Sequence, residues 1–233
     1  CHTPMNGATC ADAPGWRAMG IKAIAFDCGG VLLRTDDLSP YRRWEERLGL
    51  EARALERHLW EGELWRLAER GEIADAEFWR RAARGLGLHD DGDAERLRAD
   101  LWETWVIDER VLAVVDRARA RHTVAMLTNA TDAMEELLAE RYGVADRFAT
   151  IVNSARVGVA KPEPAIYQEL LKRLRLGAAE VVFIDDRAEN VAAAASLGMH
   201  VIWYLGAAEL ERQIEVYLSP GALQACEAED RDG

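Results

Sequence analysis

Three short apolar runs, Ile21–Phe26, Val124–Leu127 and Val181–Ile184, each end in polar residues: Asp27, then Thr128-Asn129, then Asp185-Asp186. The second is followed by a helical pattern over Asp132–Tyr142, and the third by an Ala-rich one over Asn190–Leu197. Phe148–Val152 and Val201–Tyr204 read as further strands, and Glu109–Arg121 and Glu163–Leu174 as further helices, with Pro164 suited to a first turn. Short strands separated by helices predict an α/β fold with a parallel sheet covered on both faces. In such sheets the ligand crevice lies outside the carboxyl ends of the strands, where these polar residues fall.

The rhythm breaks between the first two runs. Residues 36–108 carry no good strand, but carry helical patterns over Tyr41–Leu48, Ala52–Trp60, Leu64–Glu69, Ala76–Gly85 and Ala94–Trp105. This predicts a helical insert placed as a lid, with the core formed by 20–35 and 109–218. Residues 1–19 and 219–233 lack apolar periodicity and read as flexible tails, with Met19 a candidate natural start. Val191–Ala208 is mostly apolar but is interrupted by Ser196, Gly198 and His200, so it reads as helix then strand rather than a membrane span.

A net charge of −12 disfavours nucleic acid and anionic membranes as partners. The four cysteines, Cys1, Cys10, Cys28 and Cys226, form no C-x-x-C pair, and no signal pattern stands at the start; a reducing cytoplasm is expected. Only three of the 29 basic residues are lysines, and Lys161 lies in a loop just before a predicted helix. Acids gathered at strand ends suit a hard cation such as Mg²⁺. A lysine, a threonine hydroxyl and the amides of a Gly-rich turn suit a phosphoryl group. An aspartate beside the metal can attack phosphorus.

Four segments in order carry a family resemblance: Asp27-Cys28-Gly29-Gly30-Val31-Leu32, Leu127-Thr128-Asn129, Lys161-Pro162-Glu163-Pro164-Ala165-Ile166-Tyr167, and Asp185-Asp186 with Asn190 following. Over roughly residues 20–205 the chain resembles the haloacid dehalogenase-like hydrolases. The resemblance implies a Rossmann-like sheet with an all-helical cap. Glu69-Arg70-Gly71-Glu72-Ile73 with Phe78-Trp79 resembles the cap of the branch holding sugar-phosphate phosphatases and the phosphatase domain of soluble epoxide hydrolase. It implies a Mg²⁺-dependent phosphohydrolase of a small phosphorylated metabolite, a sugar phosphate being one candidate, working through an aspartyl-phosphate. Asp27 would be nucleophile and metal ligand. Gly29, through its carbonyl, and Asp186 would complete the protein ligands. Asp185 and Asn190 would orient that site. Thr128, Asn129 and Lys161 would bind the phosphoryl group, with Lys161 also stabilising the transition state. One position departs: the family's second aspartate, its general acid/base, is Gly29 here.

Two other readings fit the same residues: a metal-free 2-haloacid dehalogenase, in which Asp27 attacks carbon, and a non-catalytic binding protein of the same fold. Cys28 to Arg34 has the C-x₅-R spacing of a thiol phosphatase, but Val31, Leu32 and Leu33 between them read as core. His89–Asp93 lacks the spacing of a calcium loop and reads as a solvated turn. The tryptophans around the insert read mainly as its core, with one or two facing a substrate.

Overall fold

The computed structural model describes residues 20–218, so the expected tails lie outside the described residues. The described residues open with β1 (Ala23–Phe26) and β2 (Leu33–Thr35), then run through five helices: α1 (Ser39–Leu48), α2 (Ala54–Trp60), α3 (Glu63–Glu69), α4 (Asp75–Gly85) and α5 (Asp91–Trp102). The chain returns through β3 (Trp105–Ile107), α6 (Glu109–Arg119) and β4 (Thr123–Thr128). A single turn, α7 (Met134–Glu136), widens into a π-helix over Leu137–Arg141. Then come β5 (Thr150–Asn153), α8 (Ser154–Val157), α9 (Pro164–Leu174), β6 (Val181–Asp185), α10 (Ala188–Ser196), β7 (His200–Trp203) and α11 (Ala207–Leu218).

Five strands form one parallel sheet in the order β5-β4-β1-β6-β7. β1 is central, which explains why its four residues are all apolar and fully buried. Its two faces feed separate cores. Ile24 and Phe26 join Val124, Met126, Val182 and Ile184 beneath α6 and α11. Ala23 and Ala25 join Ala125, Leu127, Val181 and Phe183 beneath α9 and α10. Each fully buried large apolar side chain here contributes roughly 1.5–3 kcal/mol. Asp108 starts α6 by accepting from the N–H groups of Arg110 and Val111.

The insert packs around its own cluster, with Leu55, Leu59, Phe78, Leu97 and Leu101 at its centre. One expectation is corrected here. β2 and β3 pair antiparallel, Leu33 opposite Ile107 and Thr35 opposite Trp105, so a two-stranded ribbon brackets the helices. Trp105 lies in that ribbon, not in the helix expected over Ala94–Trp105, which ends at Trp102. Three residues are too few to show alternation, and their partner lies some 70 residues earlier in the chain. Helix α11 also went unread, although Leu210 and Ile214 help close the first core.

Candidate active site

The N–H of Asp27 donates to the Ile184 carbonyl (2.9 Å), extending the sheet by one residue before the chain turns. Within the turn Leu33 N–H donates to Cys28 O and Gly30 N–H to Leu33 O. The Gly29 carbonyl takes part in neither bond. Gly30 has φ +83°, and a Cβ there would lie 2.3 Å from Asp186 Oδ2. Glycine is required by both conformation and clearance.

Lys161 is buried between two carboxylates. Its Nζ lies 2.7 Å from Asp27 Oδ1 and 2.6 Å from Asp185 Oδ2. Asp185 is fully enclosed and saturated: Asn190 Nδ2 donates to both its oxygens (3.0 and 3.1 Å), and Arg187 N–H donates to Oδ1 (2.8 Å). Asp186, next along, is exposed, and its backbone carbonyl accepts from Trp203 Nε1 (3.0 Å). Carboxylate oxygens of Asp27, Asp185 and Asp186 lie within 4.8 Å of one another.

Burial pushes the Asp27 carboxyl up to about 7; Lys161 pulls it down, while Asp185 and Asp186 add to the rise. Burial and the Asp185 charge also raise Asp186. Burial works against the Lys161 charge, but Asp27 and Asp185 outweigh it and hold its pKa above the ordinary value. Three acids around one ammonium leave a net negative site that favours a divalent cation. Because Asp185 is occupied by its own donors, Asp27, Asp186 and the Gly29 carbonyl remain as oxygen donors, a set that fits Mg²⁺ with waters.

Thr128 closes β4, buried, at the cavity wall. Asn129 clamps the Lys161 loop: its Oδ1 accepts from Lys161 N–H (2.8 Å) and its Nδ2 donates to Lys161 O (3.0 Å). The same Nδ2 donates to Glu69 Oε2 of the insert (3.2 Å). The insert is pinned by neighbouring contacts as well. Arg70 reaches Glu163 Oε1 (2.6 Å), Thr131 Oγ1 donates to Asp75 Oδ1 (2.7 Å), and Asp75 N–H donates to Asp132 Oδ1 (2.7 Å). Gly71, at φ +69°, approaches Ala155 so closely that a Cβ would lie 2.1 Å from its carbonyl oxygen.

Between insert and sheet lies a cavity of about 420 Å³. Asp27, Thr128, Asn129, Lys161 and Asp186 stand in its wall, with Tyr41, Trp60, Trp65, Phe78, Trp79 and Trp105 supplying much of the rest. Trp60 packs edge-on to Trp65 at 5.0 Å and stacks on Phe78 at 5.9 Å. Several tryptophans thus face the cavity while Trp44 is buried in the insert, its Nε1 bonded to Asp100. The site residues read from sequence come together at one sheet edge. Sequence reasoning left open which tryptophans face the site, and missed Asp75 and any site role for Glu69, because nothing local marks an approach by a segment some 60 residues away.

Two bland readings also find their place. Burial and the Asp27 charge push the Cys28 thiol far up, and Arg34 is exposed on β2 beside Asp108, so C-x₅-R makes no thiolate site. Asp90 accepts from Gly92 N–H (2.9 Å) as the N-cap of α5.

Carboxylates and a buried lysine gather at the carboxyl edge of a parallel sheet, beneath a helical insert, where open α/β folds place their catalytic groups. The chain belongs to the haloacid dehalogenase-like hydrolase family, matched over residues 21–198, and is an enzyme of that class. It is 29% identical to the sesquiterpene phosphatase astK of Aspergillus oryzae over 76% of this chain and 87% of that one. It is 26% identical to the phosphoglycolate phosphatase of Rhodospirillum rubrum over 78% of each. It is also 26% identical to mouse bifunctional epoxide hydrolase 2, over 84% of this chain and 39% of that protein. A HAD family enzyme of Bacteroides thetaiotaomicron, solved with magnesium and inorganic phosphate, shares the fold at a TM-score of 0.66 and 24% identity, over 78% of this chain and 93% of that one. Among the described residues no helix is long and apolar enough to cross a membrane.

Proposed function

We propose that this enzyme is a Mg²⁺-dependent phosphohydrolase that releases inorganic phosphate from small phosphate esters, with a preference for an apolar alcohol. The observation that carries the reading is Asp186 beside Asp27, given room by Gly30. Displacement at carbon by Asp27 needs no cation, whereas carboxylates this close favour one between them. A pure binding protein does not explain a lysine buried against the one aspartate placed to attack.

In this reading Asp27 attacks phosphorus and becomes an aspartyl-phosphate, which water then hydrolyses. Lys161 balances charge on Asp27 and on the transferring phosphoryl group, and Asp185, fixed by Asn190, holds Lys161 in place. The Thr128 hydroxyl binds a phosphoryl oxygen. The Asn129 side chain is engaged with Lys161 and Glu69, so its phosphate contact falls to its backbone N–H. Asp27, Asp186 and the Gly29 carbonyl hold the metal, which when bound neutralises phosphoryl charge. Residues 36–108 act as the cap. Its aromatic wall supports an aryl or isoprenoid-like leaving group over a sugar, as does the likeness to a sesquiterpene phosphatase.

The test is phosphate release from p-nitrophenyl phosphate and an isoprenyl phosphate, with Mg²⁺ and with EDTA, for the wild type and Asp27→Asn. Turnover that needs both Mg²⁺ and Asp27 is expected. Turnover that survives EDTA or Asp27→Asn overturns the reading.

A further inference from the structure

Hydrolysis through Asp27 has a proton to place. An alkoxide leaves slowly unless it is protonated, and the water that frees the aspartyl-phosphate must lose a proton. Gly29 has no side chain to do either. The space it leaves is bounded by the Trp105 indole, whose nearest atom would lie 3.7 Å from a Cβ at Gly29. The acid must therefore come from elsewhere in the cavity wall.

Few groups there are free to act. Asp27 and Asp186 are taken by nucleophile and metal. Asp75 accepts from Thr131 Oγ1 (2.7 Å) and Trp79 Nε1 (3.2 Å), and Arg98 lies 3.0 Å from its other oxygen. Glu56 is paired with Arg53 at 2.8 Å. Tyr41 accepts from Trp60 Nε1 (3.3 Å), and burial raises its pKa further from neutrality. Glu69 remains. It ends α3, lines the cavity, and is held over the site by Asn129 Nδ2, which is itself tied to the backbone of Lys161.

We propose that Glu69, delivered by the cap, is the general acid and base of this enzyme in place of a side chain at position 29. The inference rests on the phosphohydrolase reading above. In the first step an Asp27 oxygen bonds to phosphorus as the phosphorus–alkoxide bond breaks, and the departing oxygen takes the proton of Glu69. In the second the Glu69 carboxylate takes a proton from water. The hydroxide oxygen bonds to phosphorus, the Asp27–phosphorus bond breaks, and Glu69 is again protonated.

The surroundings of Glu69 suit both roles. Burial raises its pKa; Arg70 and Arg187 pull it back, with smaller help from Trp65 and Asn129. Neither arginine closes an ion pair on it, because Arg70 turns to Glu163 and Arg187 to Glu189, each at 2.6 Å. An acid so placed keeps its proton closer to neutrality than a free glutamate, yet can still lose it. The insert carries this acid, and the Asn129 contact holds it over the site.

The experiment is kcat/KM for Glu69→Gln across phosphate esters of graded leaving-group acidity. The glutamine oxygen can still accept from Asn129, so the latch survives while the proton does not. Loss of about 10²–10⁴-fold is expected on an alkyl phosphate, shrinking to under about tenfold on p-nitrophenyl phosphate. An equal loss on every ester would assign Glu69 to cap seating alone and overturn the proposal. A second measurement needs no variant to fold. The wild-type pH profile of kcat/KM on the alkyl ester should show an alkaline limb that the nitrophenyl ester lacks, and identical profiles overturn the proposal. If turnover persists in Asp27→Asn, it is the phosphohydrolase reading that has failed, which is a separate result.

Discussion

The indole of Trp105 stands against Gly29, 3.7 Å from where a side chain at that position would begin. A strand remote in sequence thus bounds the space into which a side chain at position 29 would extend. Gly29→Asp alone should fold, since its Cβ meets only ordinary contact, but should add little to turnover of alkyl phosphates. Gly29→Asp with Trp105→Ala should gain more, because the acid then has room. Steady-state rates on one alkyl ester compare the two, and a full gain from the single change would mean that the indole yields freely.

Lys161→Met should be costly in a pH-dependent way. It leaves Asp27 and Asp185 buried without their shared cation, which costs about 3–5 kcal/mol when both are charged. Asp27 already holds its proton up to about 7, so lowering the pH neutralises it and relieves the repulsion. The stability deficit against wild type, measured by urea unfolding without Mg²⁺, should be large at pH 8 and smaller at pH 5.5.

Mg²⁺ affinity should rise with pH. The ion competes with the proton on Asp27, and burial raises Asp186 as well. Between pH 6 and 8 a group titrating near 7 goes from mostly protonated to mostly ionised, so calorimetry should find binding about tenfold tighter at pH 8. A flat profile would remove Asp27 from the ligand set.

Gly30→Ala should raise the Mg²⁺ concentration needed for half-maximal turnover. Its Cβ would stand 2.3 Å from Asp186 Oδ2, so that carboxylate must move, and φ +83° adds strain of about 1 kcal/mol. The titration midpoint reads the effect. Asp186→Ala should shift it in the same direction and further.

Trp65→Ala should separate phosphate chemistry from recognition of the alcohol. The ring lies edge-on to Trp60 in the cavity wall. KM for an isoprenyl phosphate should rise roughly tenfold, while acetyl phosphate, too small to reach the aromatic wall, should change little.

What was legible in the sequence was what the backbone repeats locally. The runs ending at Asp27, Thr128 and Asp185 are strands because a central parallel strand is apolar on both faces, and their polar ends share one edge because the strands are parallel. Lys161 stood out as a lysine among arginines, and the structure gives it a place where a compact ammonium fits between two carboxylates. What stayed hidden depends on contacts between distant segments. β3 pairs only with β2, and Glu69 gains meaning only from Asn129, 60 residues on. Neither leaves a local periodicity.

Trp60, Trp65, Trp79, Trp102 and Trp105 all border the cavity, five of the eight tryptophans in the chain. The protein therefore carries its own optical reporter. A ligand entering there changes the polarity and quenching around most of its indoles at once, so intrinsic fluorescence would register occupancy in an unlabelled sample. Because Trp105 stands beside Gly29 while Trp60 and Trp65 pack together in the aromatic wall, single Trp→Phe exchanges could time the arrival of a ligand at each part of the cavity.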